Sequence, residues 1–218
     1  MRTKTSIEWA FFHGWGFHAQ AWEKFEKCFL PSVQAQRFDR GYWGNFSEVK
    51  DFVSTETTKI VVTHSLGLHW VPERVMERAN YLIIFGGFEA FPIQDPQILQ
   101  KMKGSLSEDP VKLLKEFYKN CFSPQVVSWS ITKPAHAEFL QDDLSFLERS
   151  KLYVTKLSKI KKILIFHGTA DRIVPFGEAE KLHQHLPQSL LFPIENAGHA
   201  VQITFAEKCA EEIKRCIL

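Results

Sequence analysis

The chain has 218 residues, a length that suits one α/β domain with a sizeable buried core. Hydrophobic residues at 44% and charged residues at 24% exclude a disordered chain. A net charge of +2 excludes a global basic field of the kind that holds a nucleic-acid backbone, so no nucleic-acid partner is expected. The four cysteines, Cys28, Cys121, Cys209 and Cys216, are dispersed and form no CxxC pair, which reads as reduced thiols in a cytoplasmic protein. Met1 to Glu8 has no long apolar core behind its charges, and Trp9-Ala10-Phe11-Phe12 is too short for a signal segment or a span. No membrane association is therefore expected.

In chain order, Ile7 to Phe12 reads as a buried strand closed by His13-Gly14-Trp15-Gly16. Ala19 to Phe29 reads as a helix with Trp22, Phe25 and Phe29 on one face, stopping near Pro31. Gln34 to Phe38 reads as a strand, Asp39 to Gly44 as a loop, and Ser47 to Ser54 as a short helix. Lys59 to Thr63 is a β-branched strand, His64-Ser65-Leu66-Gly67 a tight turn, and a helix is expected to begin at Leu66. Tyr81 to Phe85, Lys162 to Phe166 and Leu190 to Pro193 read as further strands, and Thr204 to Cys216 as a closing helix. Pro193 marks an edge or an end.

Continuous rather than alternating apolar strands point to a parallel sheet buried on both faces. The strand-loop-helix order predicts a mostly parallel, doubly wound α/β fold. The stretch from about 88 to 158 has helix-like pieces, several prolines and no convincing strand. It reads as a helical lid inserted over the sheet within a single domain spanning 1–218.

In such folds the chemistry sits at the carboxyl ends of strands. Ser65, Asp171 and His199 each follow a predicted strand, in the order of a Ser-Asp-His hydrolase triad. A serine hydroxyl is a weak nucleophile. It needs a histidine to take its proton and an acid to hold that histidine in the right tautomer. Taken singly, Ser65 reads equally as a helix cap, while Asp171 reads sooner as a turn or N-cap residue and His199 as an ordinary histidine. Their order and placement together point to the triad. The early glycine-rich loop supplies the Trp15 N–H, and the turn supplies the Leu66 N–H, as the pair that stabilises a tetrahedral oxyanion. The helix expected at Leu66 would aim its positive end at the same point.

These segments resemble the α/β-hydrolase superfamily across essentially the whole chain, with the start trimmed to the strand that carries the oxyanion loop. Within it they most resemble the pimeloyl-acyl carrier protein methyl ester esterases of biotin synthesis. The shared features are His13-Gly14-Trp15-Gly16 followed by Trp22, the Ser65-Leu66-Gly67 elbow, the Val174-Pro175 end of the Asp loop, and His199-Ala200. Thr63 and Leu68 depart from that pattern, which has glycines there. The resemblance implies a monomeric serine carboxylesterase without metal or organic cofactor. Its implied substrate is a small acyl ester, a methyl ester on a dicarboxylic chain presented by acyl carrier protein.

Lys112, Lys115 and Lys119 share one face of a helical stretch and read either as a docking face for that acidic carrier or as a plain solvated face, the commoner case. Trp43, Phe88 and Trp129 suit acyl-pocket walls or core equally. His183 and His185 point apart on a helix and do not suit a shared metal. Two other activities remain open on sequence alone: a carbon–carbon hydrolase or lyase of the same superfamily, and a non-catalytic binding protein on the same fold.

Overall fold

The computed structural model describes residues 6–29, 34–93 and 97–217. The expected helix stop at Pro31 and the first five residues lie outside the described residues. The elements run β1 (Ile7–Phe12), a 3-10 turn (Ala19–Trp22), α1 (Glu23–Lys27), β2 (Gln34–Phe38), β3 (Thr58–His64), a 3-10 turn (Ser65–His69), α2 (Glu73–Met76) and β4 (Tyr81–Phe85). They continue with α3 (Ile98–Glu108), α4 (Pro110–Phe122), α5 (Ala137–Arg149), a 3-10 turn (Val154–Leu157), β5 (Lys162–Gly168), α6 (Phe176–His185), β6 (Ser189–Ile194), α7 (Val201–Thr204) and α8 (Ala206–Ile217).

The six strands form one sheet in the order β2-β1-β3-β4-β5-β6, every pair parallel. Successive side chains of a strand face opposite ways, and two cores follow from that alternation. Trp9, Phe11, Ile60, Val62, Ile83, Phe85, Leu164 and Phe166 pack on one face, against Phe25 of α1 and Cys209 and Ile213 of α8. Ala10, Phe12, Val61, Leu82, Ile84, Ile163 and Ile165 pack on the other, against Val75 of α2 and Ala179 and Leu182 of α6. Pro193 lies in β6, an edge strand, where a missing N–H leaves no inner ladder broken.

A third core stands over the carboxyl ends of the strands. It joins Trp15, Phe17, Tyr42 and Leu66 to Leu99 and Leu106 of α3, Leu114 and Tyr118 of α4, and Leu140 and Leu144 of α5. The segment between β4 and β5, where a lid is expected, is helical and packs over the sheet edge, stitched at its base by an isolated antiparallel bridge between Ala90 and Lys151. Asp143 of α5, itself buried, accepts from Arg40 Nε at 2.8 Å and from the Tyr42 hydroxyl, fastening the lid to the loop after β2.

Three expected elements differ. Residues 47–54 form no helix. The Glu8 carboxylate of β1 accepts from the Val53 N–H at 2.7 Å and the Ser54 N–H at 3.0 Å, and Arg78 donates to the Phe52 carbonyl, so distant side chains satisfy this backbone. Ala19 to Phe29 divides into a 3-10 turn and the short α1. The helix expected from Leu66 is only the five-residue 3-10 turn Ser65–His69, because Pro72 disfavours a helical Val71. A turn of that length has little macrodipole, so the expected dipole contribution at Ser65 is withdrawn.

Candidate active site

Ser65 sits where β3 ends and the 3-10 turn begins, at φ +53°. A serine in that region costs about 1–3 kcal/mol, a strain that the surrounding structure must hold. The hold is close packing: a Cβ added to Gly67 would lie 2.2 Å from the Phe12 carbonyl oxygen, so the turn presses directly on the end of β1. A Cβ on Gly14 would lie 3.0 Å from Ser65 Cβ, which brings the early glycine-rich loop beside the serine. Thr63, where a smaller residue was expected, is fully buried and donates its hydroxyl to the Ile83 carbonyl at 3.3 Å, so its polar atom is satisfied within the sheet.

Asp171 lies in the loop after β5. Its Oδ1 accepts from the backbone N–H of Ile173 at 2.8 Å and of Val174 at 2.9 Å. Its Oδ2 is 2.7 Å from His199 Nδ1. A carboxylate only accepts, so His199 carries a proton on Nδ1, and of its two neutral tautomers this contact selects the one whose Nε2 can act as a base. Burial alone would raise the Asp171 carboxyl, but the adjacent His199 and the hydrogen bonds from His167 and His199 hold it well below the usual carboxylate range. His199 is 1% exposed and Ser65 7%.

His64 bridges the two segments. It precedes Ser65 in the chain, its Nε2 donates to the His199 carbonyl at 3.3 Å, and its ring lies 4.8 Å from the His199 ring. Burial, with His199 close by, pushes the His64 imidazole well below its ordinary value, which leaves it neutral. Among the described residues no hydrogen bond joins the Ser65 hydroxyl to His199. Such bonds are often long in ligand-free sites and tighten when substrate binds.

Leu66 follows Ser65 in its turn, and Trp15 lines the same cavity as Ser65. The Trp15 N–H meets no acceptor among the described residues, and Leu66, second in its turn, has no partner three residues back. Trp15 is buried, and its indole donates to the Leu140 carbonyl of α5 at 2.8 Å, which locks this loop under the lid.

Ser65 opens into a cavity of about 260 Å³, walled by Trp15, Phe91, Leu99, Met102, Leu113, Phe117, Leu144 and Leu147. Arg172 also lines it, with no hydrogen-bond or ion-pair partner among the described residues. Trp43, Phe88 and Trp129 do not line it. Trp129 packs on Phe17, Tyr118 and Phe122, Phe88 stacks on His69 at 4.7 Å, and the Trp43 indole faces the Thr132 carbonyl. The walls instead come from lid residues whose helical spacing reads as ordinary amphipathic packing. Only the position of the lid over Ser65 distinguishes them.

Lys112, Lys115 and Lys119 are exposed on α4, the helix that also gives Leu113 and Phe117 to the cavity. Lys119 lies 3.8 Å from Glu116 on the same face. His183 meets the Ser189 hydroxyl and His185 meets Glu89, separate partners on separate sides. Among the described residues no group of three His, Cys, Asp or Glu side chains could hold a metal ion, and no helix is long and apolar enough to cross a membrane. All four thiols are unpaired.

No family model matches the chain. A pimeloyl-[acyl-carrier protein] methyl ester esterase from Nitrosomonas europaea is 30% identical over 102 residues, 47% of this chain and 37% of that one. The AB hydrolase superfamily protein YisY of Bacillus subtilis is 29% identical over 113 residues, 51% of this chain and 42% of that one. The matched part of the chain thus spans less than half the length of either curated relative. Among solved structures, an esterase from Exiguobacterium antarcticum superposes with a TM-score of 0.74 at 17% identity, covering 97% of this chain and 91% of that one.

Proposed function

We propose, from the premise that this chain has the α/β-hydrolase fold, that it is a serine carboxylesterase acting through Ser65, His199 and Asp171. The observation that carries the reading is the 2.7 Å contact between His199 Nδ1 and Asp171 Oδ2, beside a strained serine that opens into an apolar cavity. In this reading Ser65 Oγ attacks the ester carbonyl while His199 Nε2 takes its proton. The Trp15 and Leu66 N–H groups receive the oxyanion. Collapse of the tetrahedral intermediate breaks the bond to the alkoxy oxygen, and His199 returns the proton so that the alcohol leaves. A water then attacks the acyl enzyme with His199 as base, giving the acid and free Ser65.

The finer proposal is that the ester is a methyl ester of a dicarboxylic acyl chain carried by acyl carrier protein. The partial likeness to the Nitrosomonas enzyme supports it, as does a cavity whose largely apolar walls, which also carry Glu116, include Arg172, able to meet a distant carbonyl or carboxylate. Lys112, Lys115 and Lys119 would meet the acidic carrier beside the cavity. Against this, Glu116 tempers that face.

Ser65→Ala tests the activity. Turnover of short p-nitrophenyl esters and labelling by a fluorophosphonate should vanish while the circular dichroism spectrum stays as in the parent. Full activity in that variant ends the assignment. Complementation of a biotin-requiring strain that lacks its methyl esterase, with Ser65→Ala as control, tests the substrate.

A further inference from the structure

Two imidazoles converge on one oxygen of Asp171. His199 Nδ1 is 2.7 Å and His167 Nε2 is 3.2 Å from Oδ2. His167 is the penultimate residue of β5 and is fully buried. Its Nε2 also lies 2.8 Å from the Val174 carbonyl oxygen. A carbonyl oxygen can only accept, so Nε2 bears a proton. His167 Nδ1 is sealed from solvent with no partner. A proton there would be a buried donor with no acceptor, a cost that a bare lone pair largely avoids. The ring gives its Nε2–H to the Val174 carbonyl, and the same polarised N–H edge stands 3.2 Å from Asp171 Oδ2.

We propose that His167 is a positioning residue of this site: its Nε2–H fixes Asp171 Oδ2 and draws charge from it, so that the strength of the Asp171–His199 bond is set from β5. The inference rests on the esterase reading for its catalytic meaning. Its structural basis, the shared oxygen, does not. With the donor present, Oδ2 offers less charge to an imidazolium while it still holds the His199 ring in place. The other titratable groups against this pair are His64 from β3, which faces the His199 carbonyl, and Cys121 of α4, whose thiol is pushed up by burial and by Asp171. Neither donates to Asp171 Oδ2.

The test is His167→Leu, which removes the donor, beside His167→Gln, whose amide N–H reaches near the Nε2 position. In His167→Leu the acid limb of kcat/KM against pH should move upward by about one pH unit, with KM unchanged. His167→Gln should return most of that shift. A purely structural histidine would lower the melting temperature of both variants and leave the limb where it is, and that result overturns the proposal. Should His167→Leu not fold, His167→Asn, whose amide reaches only the Nδ1 position, replaces it. NMR titration of the His199 ring without substrate keeps the two readings apart. A moved midpoint in a protein with no esterase activity removes the hydrolase and keeps the linkage, whereas an unmoved midpoint in an active esterase removes the linkage alone.

Discussion

At the carboxyl edge of the sheet the polar side chains are fixed by backbone groups and by one another, whereas the lid above is fixed by apolar packing and one partly buried ion cluster. Asp171 receives two backbone N–H groups and two imidazoles, and Ser65 is wedged by the approach of Gly67 to Phe12. The lid offers leucines, phenylalanines and a methionine to the cavity, and reaches the body through Asp143 to Arg40 and Tyr42 and through Trp15 to Leu140. The edge therefore tolerates almost no change in geometry, while the lid can vary its side chains at modest cost. In a hydrolase this division separates chemistry, which needs atoms placed within tenths of an ångström, from substrate choice, which needs shape.

The sharpest break of the comparison is Asp171→Asn, which keeps the volume but favours the wrong His199 tautomer. Turnover should fall on the order of 10⁴-fold with KM little changed, read by steady-state kinetics on a soluble ester. Next comes Asp143→Ala, which strands the Arg40 guanidinium beneath the lid. Urea unfolding should register a loss of about 1–3 kcal/mol, since the partly exposed Arg40 can regain water. Activity of the protein that remains folded should suffer far less than in Asp171→Asn. An equal loss in both would mean that lid and edge are one unit. Met102→Ala, in the cavity wall, sharpens the contrast from the other side. It should lower kcat/KM roughly tenfold for a medium-chain ester and leave an acetate ester unchanged.

The smallest effect is the pH dependence of stability. Burial pushes the His69 imidazole down to about 4, and burial with His199 close by lowers His64 well below its ordinary value. The unfolded chain takes up both protons near pH 6.5, while the folded chain does so only at lower pH. Stability contributed by the neutral rings is therefore full above about pH 6.5 and declines as pH falls toward the folded values. Urea midpoints measured between about pH 7.5 and 5 should show that decline, and His69→Gln should flatten it. The depressed Asp171 carboxyl adds a further loss only at more acid pH, below the ordinary carboxylate range.

Legibility in the sequence follows how local the deciding interaction is. Ile7–Phe12 and Tyr81–Phe85 are strands at the expected bounds, because their aliphatic and aromatic runs suit a sheet buried on both faces, and Gln34–Phe38, a polar edge strand, also keeps its expected bounds. Residues 47–54 read as a helix by composition, yet Glu8, Arg74 and Arg78 take over their backbone hydrogen bonds from elsewhere. The turn after Ser65 carried its own stop signal in Pro72, which outweighed the expectation of a longer helix. His167 closed a strand in the sequence with nothing to mark it. Its meaning lies in a 3.2 Å contact to an oxygen four residues on, made only by the curl of the loop.

By itself the sequence determined the parallel sheet, the placement of Ser65, Asp171 and His199 at strand ends, and a helical segment between β4 and β5, since these depend on periodicity and on turn chemistry that neighbours in the chain carry. Only the tertiary structure decided which lid side chains wall the cavity, that Asp143 fastens the lid, and that two histidines share Asp171. Each of those depends on groups far apart in the chain meeting in a space where water is excluded, and no local pattern encodes that meeting.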